Sequence, residues 1–219
     1  MSSAPPHIGI IGSGALGANV ARALAKKGLP ALIANRRGPG SLASLMAETG
    51  PSIKAVSVDE AARADIVLVA VRWADLGPAL GGLPAWNGRI VIDGTNPVEF
   101  LDPNSPDARD PGNPLAAWGI KAIDLGRKYS SQVFREFVPG ARVVKALNHL
   151  DANALTQPEL AGGQRVQFFS GDDAAAKAEV RKLLEALGFF AVDLGALDVG
   201  GPLAQLPFGP LAAINLAKI

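Results

Sequence analysis

The 219-residue chain has no cysteine and only two histidines, and each scarcity removes a kind of chemistry. Without cysteine there is no disulfide, no thiolate nucleophile and no cysteine-ligated metal. The two histidines, His7 and His149, lie far apart in the sequence. We therefore expect no metal site.

The positive and negative charges nearly balance, and no apolar stretch of the sequence is long. The formal net charge of +1 is too small to indicate nucleic acid or an anionic membrane as a partner. The longest buried-looking apolar run, residues 66–71, is too short to cross a bilayer. Residues 1–6 lack the charged start and apolar stretch of a signal peptide. We expect a cytoplasmic protein that acts on a small molecule.

Apolar residues make up 48% of the chain, enough for a packed core. Short apolar runs alternate with amphipathic patterns, as in a parallel sheet covered on both faces. The predicted strands cover residues 7–11, 31–34, 53–56, 65–71, 89–93, 142–147, 166–169 and 189–194. The predicted helices cover residues 15–27, 41–48, 131–138 and 203–219, the last with a break at 207–210. Ser41 is the predicted cap of the second of these. A short helix is predicted after a Ser57–Glu60 capping box, and a further helix is predicted to be capped by Asp172 or Asp173.

Residues 97–114 hold five prolines among polar residues and are predicted to have no regular structure. A loop of this length is usually a lid, a binding loop or a mobile segment. It leaves the end of the fifth predicted strand, where open α/β sheets bind ligands. Both a functional and a merely mobile loop fit the sequence.

A glycine-rich turn follows the first predicted strand. Residues 12–17 match G-x-G-x-x-G, in which the glycines allow a tight turn, close approach of a pyrophosphate and close packing of helix on strand. The motif follows an apolar strand and opens an amphipathic helix, the context that it requires. The alternative is a purely structural turn. We predict a dinucleotide pyrophosphate bound by the turn and the helix N-terminus, at Gly12, Ser13, Gly14, Ala15, Leu16 and Gly17.

The end of the second strand sets the choice of dinucleotide. A site that prefers NAD has Asp or Glu there, to bind the ribose 2′-hydroxyl. This chain has Asn35, Arg36 and Arg37 instead. Guanidinium groups bind a 2′-phosphate through charge-assisted hydrogen bonds, and Asn35 can donate to the same group. We predict NADP(H) as the cofactor, against the alternative of two solvated surface arginines.

These elements predict an α/β fold of Rossmann type, a doubly wound and mostly parallel sheet with a small C-terminal extension. Residues 1–150 would form the NADP-binding domain. Residues 151–219 would form a small α/β segment that closes the site and packs with the first part as one unit.

Seven segments resemble a known family. They are GSGALG at 12–17, NRR at 35–37, AVRW at 70–73, VIDGTNP at 91–97, RVVKALN at 142–148, GDD at 171–173 and DLGAL at 193–197. Their order and spacing are similar to those of the F420-dependent NADP oxidoreductases, and the same dinucleotide domain is found in the reductase part of the STEAP ferric reductases. The resemblance implies a C-terminal segment that closes the site and helps to form a homodimer.

The resemblance also implies where the nicotinamide and the second redox ring would lie. Beside the nicotinamide half would be Val71, Arg72 and Trp73. Bordering the second ring would be Asn96, Pro97, Asn148 and His149, with Gly200 and Gly201 letting the rings approach.

Plainer roles stay open for several of these residues. Trp73 could serve packing alone, and Asn96 could cap a turn before Pro97. We expect Lys145 to be an ordinary surface lysine. We expect His149 to be a hydrogen-bonded structural histidine rather than a catalyst.

The chain departs from the family pattern at two places. Arg72 stands where the family often has proline, and we hypothesise that it contacts an anionic substrate or the nearer phosphate. Residues 197–201 are glycine-rich and lack the hydroxyl and amide side chains expected of members that bind a deazaflavin. The second substrate is therefore left open.

The resemblance implies hydride transfer between nicotinamide and a planar acceptor, coenzyme F420 or a flavin. Such a reaction needs positioning and exclusion of water, so we assign no general acid or base. One alternative is a reductase of a small imine or carbonyl, although such enzymes carry a large helical second domain for which the C-terminal segment is too short. Another is a non-enzymatic NADP(H)-binding redox sensor, which needs no apolar cleft. The apolar residues Phe208, Leu211 and Ile214 would meet a second subunit or cover their own sheet.

Overall fold

The structure is a computed structural model, and it describes residues 7–219. The first part of the chain alternates strands and helices in the predicted order, with one addition, a short helix at residues 76–80 that was not predicted. Its elements are β1 (Ile8–Ile11), α1 (Ala15–Lys26), β2 (Ala31–Ala34), α2 (Ala43–Thr49), β3 (Ile53–Ala55), α3 (Val58–Ala61), β4 (Ile66–Val69), α4 (Leu76–Leu80) and β5 (Ile90–Asp93).

The second part adds a small hairpin and then returns to the main sheet. Its elements are β6 (Val98–Phe100), β7 (Ile120–Ala122), α5 (Ser130–Phe137), β8 (Arg142–Ala146), β9 (Glu159–Leu160), β10 (Gly163–Gly171), α6 (Ala174–Ala186), β11 (Phe190–Asp193), α7 (Leu197–Ala204) and β12 (Ala217–Lys218). Short 3-10 turns connect several of them.

The main sheet has the strand order β3-β2-β1-β4-β5-β8-β10-β11. The six strands from β3 to β8 run parallel, which confirms the Rossmann-type, doubly wound fold. Strand β10 then runs antiparallel to β8, and β11 runs parallel to β10. The sheet continues across position 150, so both halves of the chain contribute to it.

Burial explains why these runs form strands. Every residue of β1, β4 and β5 is buried, as expected for central strands covered by helices on both faces. On one face α1 places Val20 and Leu24, 2% and 0% exposed, against the sheet. Helix α1 ends before Gly28, whose φ of 68° is the left-handed conformation that ends many helices. Truncation of Leu24 to Ala would cost about 2–5 kcal/mol.

The prediction of an irregular segment at residues 97–114 is partly wrong. Val98 to Phe100 form β6, which pairs antiparallel with β7, so that Phe100 lies opposite Ile120. The partner strand lies beyond the predicted loop, and the prolines at 103, 106, 111 and 114 all fall outside β6. The rest of the segment is turns and a 3-10 helix.

The prediction of a C-terminal helix over residues 203–219 is wrong. The helix at this end is α7, which stops at Ala204, and β12 pairs antiparallel with β10. Pro207 and Pro210 lack the amide hydrogen that a continuing helix needs. In the tail Leu211 packs against a small buried cluster, whereas Phe208 and Ile214 are exposed.

The prediction that Ser41 caps a helix is also wrong, because α2 begins two residues later. Ser41 lies in the 3-10 turn Pro39–Leu42, where its hydroxyl donates to the Gly38 carbonyl oxygen at 2.7 Å. The other predicted caps match better. Ser57 accepts from the Glu60 amide, and Asp173 accepts from the Ala176 amide.

Candidate active site

Two adjoining cavities lie along the carboxyl ends of the parallel strands. The basic cavity has a volume of about 360 Å³ and is lined by Ile11, Gly12, Ser13, Gly14, Asn35, Arg36, Arg37, Val58, Ala70, Val71, Arg72, Asp75 and Ala79. The apolar cavity has a volume of about 390 Å³ and is lined by Gly14, Ala15, Leu16, Ala70, Val71, Arg72, Trp73, Gly94, Thr95, Asn96, Val98, Phe100, Leu147, Asn148, Leu150, Ala152 and Leu206. Four residues border both: Gly14, Ala70, Val71 and Arg72.

The three glycines of the turn are required for different reasons. A Cβ on Gly12 would lie 2.2 Å from the Ala70 carbonyl oxygen, and one on Gly17 would lie 1.9 Å from the Gly12 carbonyl oxygen. Packing of the protein itself therefore demands these two. A Cβ on Gly14 would meet nothing within 4 Å, and its φ of −70° suits any residue. The space above Gly14 is open to both cavities, which fits a bound pyrophosphate.

The start of α1 suits an anion as well. Gly14 is its N-cap, so no side chain caps the first amides, and the first turn holds no acidic residue. The amides of residues 15–17 are thus free to donate to a phosphate, next to the positive end of the helix dipole.

Asn35 connects the glycine turn to the loop after β2. Its Nδ2 donates to the Ser13 hydroxyl oxygen at 2.8 Å and to that of Ser41 at 3.0 Å. Its Oδ1 accepts from the Arg37 amide at 2.8 Å. Both amide donors of Asn35 are therefore engaged, and it acts on the basic cavity by holding Ser13 and Arg37 in place.

The two arginines of the basic cavity are exposed. Arg36 Nη2 lies 3.4 Å from Asp75 Oδ1, whereas Arg37 has no ion-pair partner between residues 7 and 219. Asp75 ends the 3-10 turn Trp73–Asp75 that follows β4, and the sequence reasoning missed it. Its position just beyond a strand end was the signal that could have found it.

Apolar side chains dominate the other cavity, and they come from several elements. Leu16 of α1 and Trp73 lie at the strand ends, while Val98 and Phe100 come from the hairpin strand β6. Arg72 borders both cavities, and its guanidinium carbon lies 5.2 Å from the centre of the Phe100 ring. Trp73 thus contributes to the cavity as well as to the buried cluster behind it.

Asn96 does more than cap a turn, because it links three distant segments. Its Nδ2 donates to the Asn148 carbonyl oxygen at 2.7 Å. Its Oδ1 accepts from Asn148 Nδ2 and from the Leu206 amide, each at 3.0 Å. The C-terminal segment is thereby fixed over the apolar cavity. Pro97 is buried and does not line either cavity.

The expectation of a surface lysine at position 145 is wrong. Lys145 is 1% exposed, and its Nζ lies 3.0 Å from Asp93 Oδ2 and donates to the Thr95 carbonyl oxygen at 2.8 Å. Asp93 Oδ1 in turn accepts from the Thr95 hydroxyl at 2.7 Å. Since β5 and β8 are neighbours with Asp93 opposite Lys145, one charge at the end of each apolar strand was the signal available. The network fixes the turn that carries Gly94 to Asn96.

The expectation of a hydrogen-bonded histidine at position 149 is wrong too. His149 is fully buried, and neither ring nitrogen has a partner among the described residues. Burial lowers its pKa to about 4, so the ring is neutral at neutral pH. The ring packs 4.8 Å from that of Phe168 and does not line a cavity.

Gly200 and Gly201 lie within α7 rather than at a cavity. A Cβ on Gly200 would lie 2.5 Å from the Ser170 Cβ, so glycine lets α7 pack on β10. A Cβ on Gly201 would lie 3.1 Å from the Ser131 hydroxyl oxygen. The structure places these residues behind the apolar cavity, where they serve packing.

Two other kinds of feature are absent from residues 7–219. No helix in this range has both the length and the apolar character to span a bilayer. The same range holds no group of three or more His, Asp or Glu residues arranged to take a metal ion.

A parallel sheet with a glycine turn at its switch point and a basic pocket beside it is typical of proteins that bind a nicotinamide dinucleotide. Residues 7–97 match the family model described as NADP oxidoreductase, coenzyme F420-dependent. The chain belongs to this family.

The chain is also similar to three other proteins. The hypothetical protein SMa0349 of Sinorhizobium meliloti is 38% identical, with a TM-score of 0.85, over 99% of this chain and 97% of that one. A protein of Arthrobacter sp. FB24, proposed to be an F420-dependent NADP-reductase, is 28% identical, with a TM-score of 0.72, over 88% and 86% of the two chains. Metalloreductase STEAP3 of Rattus norvegicus is 26% identical over 92% of this chain and 36% of its own length. The chain thus spans about a third of that curated relative.

Proposed function

We propose that this chain binds NADP(H) across both cavities and transfers hydride between the nicotinamide and a planar acceptor, coenzyme F420 or a flavin. The supporting observation is the pair of adjoining cavities, one basic and one apolar, that meet at Gly14 and Arg72. A dinucleotide has a charged, phosphorylated half and a redox half, and this pair of cavities matches both.

The basic cavity would hold the adenosine half. The guanidinium of Arg36 binds the 2′-phosphate, and Arg37 adds a second cation. The open backbone at Gly14 and the free amides of α1 hold the pyrophosphate. Asn35 keeps this half ordered through its hydrogen bonds to Ser13 and Arg37.

The apolar cavity would hold the nicotinamide and the acceptor. Bound NADPH supplies the hydride from nicotinamide C4. The protein's part is to hold two flat rings against each other and to exclude water, which Leu16, Trp73 and Leu206 do. No side chain that lines this cavity is needed as an acid or a base for hydride transfer.

Arg72 and Phe100 suit the acceptor rather than the cofactor. Arg72 is exposed and has no ion-pair or hydrogen-bond partner for its side chain in residues 7–219, and it stacks on a Phe100 ring that is 57% exposed. An exposed ring beside an available guanidinium can stack on a planar molecule and attract its anionic group. In this proposal Arg72 contacts a phosphate or carboxylate of the acceptor.

The cofactor part is tested by equilibrium titration of NADPH and NADH. We expect tighter binding of NADPH, and a loss of about tenfold or more in NADPH affinity for Arg36→Ala, because a hydrogen bond to a charged group is worth about 1.5–3 kcal/mol. Arg63→Ala, which removes an exposed arginine paired with Asp59 elsewhere, is the matched control. Equal affinity for the two cofactors would refute this part.

The acceptor part is tested by stopped-flow oxidation of bound NADPH with F420, FMN, quinones and ferric chelates. FMN and riboflavin share a ring system and differ by one phosphate, so their ratio of rates isolates the contribution of charge. We expect Arg72→Gln to remove any preference for FMN over riboflavin. Tight NADPH binding without oxidation by any acceptor would refute the enzymatic proposal and favour a redox sensor.

A further inference from the structure

Asp75 is the acidic side chain among the residues that line the basic cavity. Its Oδ1 lies 3.4 Å from Arg36 Nη2, and the carboxylate side chain is 36% exposed. Although Asp75 occupies the N-cap position of α4, its side chain makes no cap hydrogen bond. The turn fixes its place, because the Asp75 amide donates to the Arg72 carbonyl oxygen at 2.9 Å.

This ion pair has little structural value. Both partners are substantially exposed, and pairs of this kind contribute little to folding free energy because solvent screens them and the side chains lose freedom. Within residues 7–219 Asp75 has no second cationic partner. The contact therefore matters chiefly for what else could use the same guanidinium.

Cofactor binding changes the surroundings of both charges. A 2′-phosphate that binds Arg36 competes with Asp75 for that cation, and it brings a like charge into the cavity that holds the carboxylate. NAD(H) has no phosphate at that position and leaves the pair intact. A carboxylate in this region is also the group with which NAD-preferring sites bind the ribose 2′-hydroxyl.

We propose that Asp75 is a determinant of cofactor choice, which lowers the affinity for NADP(H) relative to NAD(H) by opposing the 2′-phosphate and occupying Arg36. This inference rests on the proposed function, in which Arg36 binds that phosphate. The chain then carries two opposed determinants in one cavity, and its preference for NADP(H) is weaker than its arginines alone would give.

The test compares dissociation constants of NADP⁺ and NAD⁺ for the wild type and Asp75→Asn by calorimetry. Removing the negative charge should raise the affinity for NADP⁺ about two- to fivefold, which is the size of effect expected for an interaction between exposed charges. The affinity for NAD⁺ should stay the same or fall. The gain should shrink at high salt, since screening weakens interactions between exposed charges. Asp75→Ser removes the same charge and should reproduce the result.

Asp59→Asn is the matched control, because Asp59 pairs with Arg63 at 3.0 Å and does not line the cavity. A weaker affinity for NADP⁺ in both Asp75 variants, or an equal change for both cofactors, would overturn the inference. If the wild type binds NADP⁺ and neither variant binds it more tightly, this inference alone fails. If the wild type binds no NADP⁺, the proposed function fails.

Discussion

The basic and the apolar cavity are built in opposite ways. The basic cavity is formed by the glycine turn, the ends of β1, β2 and β4, and exposed side chains, and Asn35 reaches Ser13 only 22 positions away. The apolar cavity depends on buried polar contacts between distant segments, and Asn96 binds the Leu206 amide 110 positions away. Changes at the basic cavity should therefore alter ligand affinity, whereas changes behind the apolar cavity should alter stability.

The largest expected effect is at the buried ion pair. Lys145→Met leaves the Asp93 carboxylate buried without its partner, so the free energy of unfolding should fall by about 3–5 kcal/mol in urea denaturation. Lys177→Met breaks a more exposed pair of the same 3.0 Å length with Asp193 and should cost about 1 kcal/mol or less. Equal stability of the two variants would contradict the structural role assigned to the buried pair behind the apolar cavity. Adding Asp93→Asn to Lys145→Met should recover part of the loss.

The next effect is a pH dependence that originates behind the apolar cavity. Burial lowers the pKa of His149 from 6.5 to about 4, so between these values the unfolded chain binds a proton that the folded chain does not. This stabilising contribution is complete above about pH 6.5 and is lost as the pH falls towards 4, by about 3 kcal/mol in all. His149→Phe should lack this part of the pH slope. Unfolding free energies of the two proteins at pH 7, 6 and 5 provide the measurement, and parallel slopes would contradict the prediction.

The smallest expected effects on stability concern two glycines of the same turn, Gly14 and Gly17, which should respond differently to substitution by alanine. Gly17→Ala places a Cβ 1.9 Å from a backbone oxygen and should lower the unfolding free energy by about 1–3 kcal/mol or more. Gly14→Ala places a Cβ in open space and should cost less than about 1 kcal/mol, while NADPH affinity falls because the pyrophosphate loses its close approach. Thermal unfolding with and without NADPH distinguishes the two. A destabilised Gly14→Ala protein would show that this glycine, too, serves packing.

The contrast between contacts that are local in the sequence and contacts between distant segments explains which features the sequence could predict. The glycine turn, the central strands and α1 follow local rules of spacing and periodicity, so their places were predicted almost to the residue. Lys145 and His149 were misjudged because their neighbours come from distant parts of the chain: Asp93 and Gly201 lie against Lys145, and Phe168 lies against His149. The charges near the ends of β5 and β8 are visible in the sequence, but their pairing depends on the two strands lying side by side.

The two errors of secondary structure have a related cause. Strand β6 exists because residues about 20 positions later supply its partner, and no local pattern indicates that pairing. The apolar composition of the C-terminal tail suggested a helix, but its prolines interrupt a helix, and the first residues of β10, which extend beyond its pairing with β11, pair with a short strand instead. Asp75 was missed because the sequence places it after β4 but does not indicate that it lies beside Arg36, which follows β2.

Strand β10 reverses the direction of the sheet, so its carboxyl end and that of β11 face away from both cavities. After β11 the chain returns through α7 to the carboxyl ends of the parallel strands, where Leu206 lines the apolar cavity. The side of the apolar cavity that contains Leu206 is therefore formed by a segment packed against the sheet and not by the end of a strand. In related chains, residues beyond α7 could change to suit a different hydride acceptor, while the glycine turn and the parallel strands stay the same.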